Sequence, residues 1–486
     1  MANLKSIKTN FLYNALLRFL SIIFPLITFP YLARVLSADG VGRIDFVTAI
    51  IQYFIIISQV GIPLYAVRQC AKVRDDKEKL SKLVQEILIL NFVMVSVSYL
   101  LLFISMSFVS QLNEYKSLMI IISINILSVN IGMEWFYQAI EEYRYITLRS
   151  LFVKLFSLIL VFIFIKEQDD YLLYGIFYVL SLSLGYFYNF VRATKYIDLF
   201  KKYKKYNFKK HLKPIMILFF MNLSVSVYIN LDKVMLGFIS GDKSVGLYTA
   251  ANKIVSIIVL LITSLGAVML PRMSYYIENN MEIEKKRLIG KSLDFVLMIS
   301  IPSAVGIIML SKQIIFLFAG SDYLDAITTI KIISPIIIAI GLSNLIGIQI
   351  LVSHGKEKLT LISTLIGASV NFILNLLLIS KMQQNGAAIS SLIAEICVVL
   401  AQFVLAFKYI KGTIKFKNLL GYFLGSTLIV LTCTIIHLLI SNLLISTFLS
   451  VLLSTLFYYA ILYLLKNEFI YGFTNKILKK IQPFRK

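Results

Sequence analysis

Apolar runs of about 20 residues follow one another along almost the whole chain, separated by clusters of charged or turn-forming residues. Each run can cross the roughly 30 Å hydrocarbon core of a bilayer as an α-helix. A membrane β-barrel would need short strands of alternating polarity, which this sequence lacks. The pattern predicts an all-α membrane protein with about 14 transmembrane helices. The predicted spans are 10–36, 44–66, 83–108, 117–140, 148–166, 171–191, 214–239, 247–270, 292–311, 326–352, 359–379, 386–408, 419–440 and 443–465, and the segment 311–325 is the hardest to assign.

The composition excludes an ordinary soluble protein. Of the 486 residues, 59% are hydrophobic and 15% are charged, whereas soluble proteins have about 25% charged residues. The three cysteines, Cys70, Cys397 and Cys433, are too far apart in sequence to indicate a disulfide framework or a zinc site. The three histidines are equally scattered. We therefore expect neither a metal centre nor a cofactor.

The basic residues predict the orientation of the chain in the membrane. Most of the 48 Lys and Arg fall in loops on the same side as the N-terminus, which the positive-inside rule assigns to the cytoplasm. Both termini are therefore expected in the cytoplasm. The first span is too long for a signal-peptide core, so it is interpreted as a retained transmembrane helix. The densest basic run, 192–213, is interpreted as a loop that contacts anionic lipid rather than nucleic acid. The opposite loops are short, which argues against an external catalytic domain, so we predict no enzyme activity.

An internal repeat occurs at a constant offset of 204 residues, which separates Val41 from Val245 and Arg68 from Arg272. Polar positions of the second span recur as polar positions of the eighth at the same offset, which indicates duplication of a unit of about six helices. An even number of spans separates the copies, so they are parallel and related by an axis along the membrane normal. We predict two parallel six-helix lobes around a central cleft, with a peripheral helix pair. The predicted domains are an N-lobe at 1–213, a C-lobe at 214–410 and the last two spans with a cytoplasmic tail at 411–486.

Polar and basic residues interrupt several spans along one helical face. Such faces contact protein or water, because lipid would leave them unsatisfied. Arg18 is the clearest case, since an arginine at that depth costs at least about 2.5 kcal/mol on insertion scales. The predicted cationic residues of the cleft are Arg18, Lys154, Lys233 and Lys253. The predicted polar residues are Asn14, Ser21, Gln52, Gln59, Asn222, Ser226, Asn230 and Ser256.

Two alternatives remain open for these residues. Lys233 and Lys253 lie toward the ends of their spans, so their ammonium groups could simply extend to the membrane surface. The acidic residues Asp45, Asp232 and Glu395 are candidates for coupling to protons or sodium, but helix packing explains each of them equally well.

Four stretches occur in a familiar order along the chain: "PLITFPYLARVLSADGVG", "GIPLYAVRQCAKVRDDKEKL", "EWFYQAIEEYRYITLRS" and "LDKVMLGFISGDKSVGLYTAANKI". Together they resemble the Wzx-type flippases, the polysaccharide transport branch of the multidrug/oligosaccharidyl-lipid/polysaccharide exporter superfamily. The resemblance implies a transporter of the bacterial inner membrane. It would carry undecaprenyl-pyrophosphate-linked oligosaccharide repeat units, of O-antigen or a related surface polysaccharide, to the outer face by alternating access. It also implies the polysaccharide polymerase and chain-length regulator as candidate partners.

A cationic, water-filled cleft suits such a substrate. Arg18, Lys154 and Lys253 would attract the pyrophosphate and replace part of its hydration shell, while the polyprenyl tail stays in lipid. The membrane potential, or a proton or sodium gradient, could drive the transport. The alternatives are a multidrug or cation antiporter of the same superfamily, whose cleft should be rich in acids, and a lipid II flippase. A membrane enzyme such as a polysaccharide polymerase or ligase is disfavoured by the short external loops.

Overall fold

The structure is a computed structural model that describes residues 7–411, 418–467, 469–472 and 474. Some side chains between residues 7 and 22 and between 221 and 227, and those at 267 and 268, are outside that description. Every regular element in the described ranges is helical, so the all-α prediction is confirmed.

The chain divides into two compact units, Met1–Gly246 and Leu247–Lys486. The first unit contains the helices α1 (Ile7–Gln59), α2 (Ile62–Val73), α3 (Lys77–Phe108), α4 (Lys116–Ile131), α5 (Glu134–Ala139), α6 (Tyr143–Phe164), α7 (Tyr171–Ala193) and α8 (Lys209–Ser240). The helix α9 (Asp242–Glu278) starts at the end of the first unit and continues into the second. The second unit also contains α10 (Glu282–Met309), α11 (Ser311–Ala319), α12 (Ala326–Ile333), α13 (Ile336–Ser343), α14 (Glu357–Ile410), α15 (Leu419–Leu439) and α16 (Leu443–Leu464).

Eleven helical segments in the described part of the chain are long and apolar enough to cross a membrane, so this is a multi-span membrane protein. Two of them are far longer than one crossing requires, Ile23–Val73 with 51 residues and Glu357–Ile410 with 54. The backbone breaks inside α1 at Ser37 and inside α14 at Gln383. Each of these segments is therefore long enough for two crossings. The count of about 14 spans stays a prediction.

The break in α1 has an equivalent between α8 and α9. Ser37 has φ 61° and ψ −178°, and Gly241 has φ 80° and ψ −179°. These two residues are 204 positions apart, the offset of the sequence repeat. This backbone conformation costs a residue other than glycine about 1–3 kcal/mol. Because Ser37 adopts it, the packing around Ser37 must impose the conformation.

A close, reciprocal helix crossing follows these two breaks, inside the first unit. A Cβ atom on Gly42 would lie 1.8 Å from the carbonyl oxygen of Asp242, and one on Gly246 would lie 2.0 Å from the carbonyl oxygen of Ala38. Residues 38 and 242 are equivalent at the repeat offset, as are 42 and 246. Reciprocal contact between equivalent residues is the signature of a two-fold axis. A duplicated helix start that packs against its own copy would produce this crossing.

The division after Gly246 places α8 in the first unit, where it packs against α1. The lobes predicted from the repeat, at 1–213, 214–410 and 411–486, stay a prediction.

Within the first unit, a buried polar cluster attaches the end of the basic segment 192–213 to α3. Glu86 and His211 are both fully buried, and the Glu86 carboxylate is 2.8 Å from His211 Nε2, 2.8 Å from Lys210 Nζ and 2.9 Å from the amide nitrogen of Asn207. The Tyr65 hydroxyl lies 2.6 Å from His211 Nδ1. Burial lowers the pKa of His211, so the ring is neutral at pH 7. Its Nε2–H then donates to Glu86, and its Nδ1 accepts from the Tyr65 hydroxyl.

Candidate functional site

The predicted site residues fall into two classes. The side chains of Asn14, Arg18, Ser21 and Asn222 lie outside the described part of the structure, so their roles stay predictions. The side chains of the other predicted residues are described. They do not form one cluster within either unit but lie in several separate groups.

Asp45 and Lys233 form the centre of one polar group in the first unit. Lys233 Nζ on α8 lies 3.9 Å from Asp45 Oδ1 on α1, and both side chains are mostly buried, with 22% and 18% exposed. Gly237, one turn after Lys233, makes this approach possible because a Cβ atom there would collide with the ring of Phe46. Lys233 therefore faces a carboxylate on a neighbouring helix.

Three tyrosines lie within electrostatic range of Asp45 or of the neighbouring Asp232. The Asp45 carboxylate acts electrostatically on the phenol groups of Tyr174 and Tyr178 on α7, and Asp232 acts on Tyr53 on α1. Sequence reasoning missed these three tyrosines. Tyr174 and Tyr178 are four residues apart and so share a helix face, but that spacing alone does not distinguish them from ordinary packing residues.

Amide side chains extend the polar face of α1. Asp45, Gln52 and Gln59 follow one another at seven-residue steps, which places them along one helix face, and each is partly buried. On α8, the Asn230 side chain donates to the carbonyl oxygen of Ser226 one turn earlier, at 3.1 Å. The described members of both polar faces are therefore partly buried.

Lys154 belongs to a second basic group, built from α5 and α6. Its side chain is partly buried, and the negative charge of Glu134 acts on it. The same Glu134 carboxylate pairs with Arg149, with Nη2 and Oε2 3.1 Å apart. Lys154 thus shares a counter-ion with an arginine that sequence reasoning did not select.

The second unit contains the remaining predicted residues. Lys253 on α9 and Glu395 on α14 are partly buried, and Ser256 is exposed. The two helices touch where the Tyr248 hydroxyl lies 3.2 Å from the Ser391 hydroxyl, one turn before Glu395. Within the described residues no group of three His, Cys, Asp or Glu could hold a metal ion.

The side chains at these places are of types that can bind an anion with polar substituents. Half-buried ammonium groups in a membrane-spanning unit form strong, charge-assisted hydrogen bonds to phosphate oxygens. Neighbouring amides and phenols can donate to and accept from sugar hydroxyl groups.

Comparison with known families shows which protein family the chain belongs to. The profile of the family described as "Polysaccharide biosynthesis protein" matches residues 7–277, more than half of the chain. The chain belongs to this family. A second profile, MatE, matches residues 218–377. The resemblance that the four sequence stretches indicated is confirmed at this level.

Two curated relatives match most of the chain. A protein of Escherichia coli (strain K12) named "Putative O-antigen transporter" is 26% identical over 405 residues, which is 81% of this chain and 95% of the relative. A protein of the same name from Shigella dysenteriae is 23% identical, with 81% and 98% covered. The lipid II flippase MurJ of Bacillus subtilis (strain 168) is 29% identical over 171 residues, only 34% of this chain and 31% of the relative. These relatives are named as transporters and flippases rather than enzymes.

Solved structures show the same fold. The lipid II flippase MurJ in an inward closed conformation has a TM-score of 0.76 at 18% identity, covering 95% of this chain and 100% of that one. An inward-facing multidrug resistance transporter of the MATE family has a TM-score of 0.60 at 13% identity, covering 79% and 95%. The chain therefore has the fold of these multi-helix membrane transporters.

Proposed function

We propose that this protein is a flippase for undecaprenyl-pyrophosphate-linked oligosaccharide repeat units, moving them from the cytoplasmic to the outer face of the bacterial inner membrane. The observation that carries the proposal is the match to two relatives named as O-antigen transporters, over 81% of this chain and nearly all of their own length.

The chemistry of the predicted site suits this substrate. A pyrophosphate carries about two negative charges, and a potential of 100 mV, inside negative, favours their outward movement by about 4.6 kcal/mol. The remaining barrier is dehydration of phosphate and sugar, which cationic and polar side chains lower by replacing water. Arg18, Lys154, Lys233 and Lys253 are proposed to bind the pyrophosphate. The proposed glycan contacts are Asn14, Ser21, Gln52, Gln59, Asn222, Ser226, Asn230 and Ser256.

Alternating access would come from movement of the two predicted lobes about the central cleft, while the polyprenyl tail remains in lipid. Both termini are proposed to face the cytoplasm, as the distribution of basic residues predicts.

The membrane potential has the right sign to drive export of a negatively charged substrate. If an ion gradient contributes instead, Asp45, Asp232 and Glu395 are the carboxylates proposed to bind the proton or sodium ion. The polysaccharide polymerase and chain-length regulator are proposed partners on the product side.

Two other transport functions follow from the comparisons. The MatE match at residues 218–377 favours a multidrug or cation antiporter, and the MurJ relative favours a lipid II flippase. A cation antiporter needs a cleft dominated by acids, whereas the predicted site here has four bases and three acids among its residues: Arg18, Lys154, Lys233 and Lys253 against Asp45, Asp232 and Glu395. The MurJ relative covers only 34% of this chain, so the O-antigen transporter relatives favour the first proposal.

Arg18→Ala is expected to lower flipping at least about tenfold, since a charge-assisted hydrogen bond is worth about 1.5–3 kcal/mol. Cells that lack the protein should accumulate the lipid-linked oligosaccharide in the cytoplasmic leaflet, and the wild-type chain should restore its exposure outside. The matched control is Arg287→Ala, an exposed arginine on α10. Normal exposure with Arg18→Ala, at equal membrane levels, would remove Arg18 from the mechanism. Unchanged oligosaccharide distribution in the deletion would refute the proposed function.

A further inference from the structure

A groove of about 880 Å³ lies on the surface of the first unit, between α6 and α7. Its walls are largely apolar, and several of the wall side chains are exposed: Leu148, Phe152, Phe156, Leu184 and Tyr188. Both helices are long and apolar enough to span the membrane. Exposed leucine and phenylalanine on a spanning helix face hydrocarbon rather than water. The groove therefore opens to lipid.

One end of the groove is positively charged. Arg144, Arg149 and Arg192 line it, together with Glu142. Arg149 pairs with Glu134 at 3.1 Å, and Arg192 approaches Glu142 at 4.0 Å. Glu134 also acts on Lys154, so four basic residues share two glutamates and this end carries a net positive charge.

The arginines at this end retain hydrogen-bonding capacity. The Arg149 side chain is only 10% exposed, and its Nε atom, like that of Arg192, is buried without a hydrogen-bond partner among the described residues. Gly185 in the groove lining faces this atom, since a Cβ there would lie 3.3 Å from Arg149 Nε. A guanidinium has five N–H groups, so the Nη groups keep further donors for an anionic oxygen in the groove.

Aromatic rings hold the arginines in place. The Arg192 guanidinium lies 3.9 Å from the centre of the Tyr145 ring, and the Arg149 guanidinium lies 5.7 Å from that of Tyr186. A guanidinium fixed over an aromatic face loses little further freedom when it binds a phosphate. The charged end is therefore preorganised for an anion.

We propose that this groove binds an anionic phospholipid, with an acyl chain along the apolar walls and the phosphate at Arg144, Arg149 and Arg192. The site is additional to the proposed transport function, because its occupant stays at the lipid-facing surface.

Three observations favour a phospholipid over the polyprenyl diphosphate of the transport substrate. The apolar walls offer few partners for a glycan. Phospholipid is also the main component of the membrane, so its high concentration would keep even a weak site occupied. The charged end adjoins the basic segment 192–213, which is predicted to lie at the anionic cytoplasmic leaflet.

Native mass spectrometry of the purified full-length protein tests this site. The probes are phosphatidylglycerol and phosphatidylcholine with identical acyl chains, added in increasing amounts. The wild type should retain one phosphatidylglycerol more tightly than phosphatidylcholine. Arg144→Gln should raise the apparent Kd of that phosphatidylglycerol about fivefold, the equivalent of about 1 kcal/mol for one basic residue. Arg144 is exposed, so this change should leave folding intact.

Two matched pairs make the outcome decisive. Arg287→Gln removes an exposed arginine elsewhere and should leave the Kd unchanged. Gly185→Leu should fill the groove and abolish retention, while Gly290→Leu, at a helical glycine with nothing within 4 Å of its Cβ position, should not. If Gly185→Leu cannot be purified, the Arg144→Gln comparison decides. Equal retention of both lipids, equal effects of Arg144→Gln and Arg287→Gln, or displacement of phosphatidylglycerol by undecaprenyl diphosphate at equal concentration would overturn the proposal.

Discussion

Alanine at Gly42 or Gly246 is expected to destabilise the protein by about 3 kcal/mol or more, the upper range for overpacking a close contact. The added Cβ atoms would lie 1.8 and 2.0 Å from carbonyl oxygens of the facing helix start. A backbone oxygen cannot move aside as a side-chain end can, so the two helix starts would have to separate. Thermal unfolding of the purified protein in detergent should show a strongly lowered melting temperature, or too little folded protein to purify.

The control for this prediction is alanine at Gly290 and at Gly306 in α10. A Cβ atom at either position meets nothing within 4 Å. Replacing a mid-helix glycine there should be neutral or stabilise the protein by about 0.5–1 kcal/mol. A Gly42→Ala protein that melts within about two degrees of the wild type would contradict the close contact between the two helix starts.

Glu86→Ala is expected to cost about 3–5 kcal/mol of folding free energy, the range measured when one partner of a buried pair is removed. The change would leave the fully buried Nε2–H of His211 without its acceptor and release the amide nitrogen of Asn207. The segment that carries these residues would lose its buried attachment to α3, while the hydrogen bonds from Gln85 to the carbonyl oxygens of Asp198 and Leu199 would remain. Chemical or thermal unfolding of purified variants measures the loss.

Glu78 provides the matched control on the same helix. Its carboxylate pairs with Lys201 at 2.8 Å, but its side chain is 67% exposed. Exposed ion pairs contribute about 0–1 kcal/mol, so Glu78→Ala should have little effect. Equal losses for Glu78→Ala and Glu86→Ala would contradict the structural role of the buried cluster.

Features with a local cause could be predicted from the sequence. Spans follow from runs of apolar residues, and the repeat follows from a constant offset. The structure places equivalent backbone breaks at Ser37 and Gly241 at that same offset. The breaks themselves were not predicted, because a serine at positive φ carries no local signal when packing imposes the conformation.

Features that join distant segments could not be predicted. The pair of Asp45 with Lys233 depends on how α1 and α8 pack, and nothing in either helix specifies the partner. Sequence analysis left open whether Lys233 lines the cleft or extends to the membrane surface. The arginine end of the groove was missed for the same reason, since Arg149 and Arg192 meet only when α6 packs on α7. Periodicity gives the face of a helix, but only packing determines what that face contacts.

Reconstitution tests the central claim most directly. The purified protein would be placed in sealed liposomes that contain a fluorescent undecaprenyl-pyrophosphate-linked oligosaccharide, and a membrane-impermeant quencher would report the leaflet that holds it. The account predicts transbilayer movement of intact substrate well above that in protein-free liposomes, accelerated by a potential that is negative on the donor side. Movement no faster than in protein-free liposomes, or export of a cationic drug in its place, would contradict it.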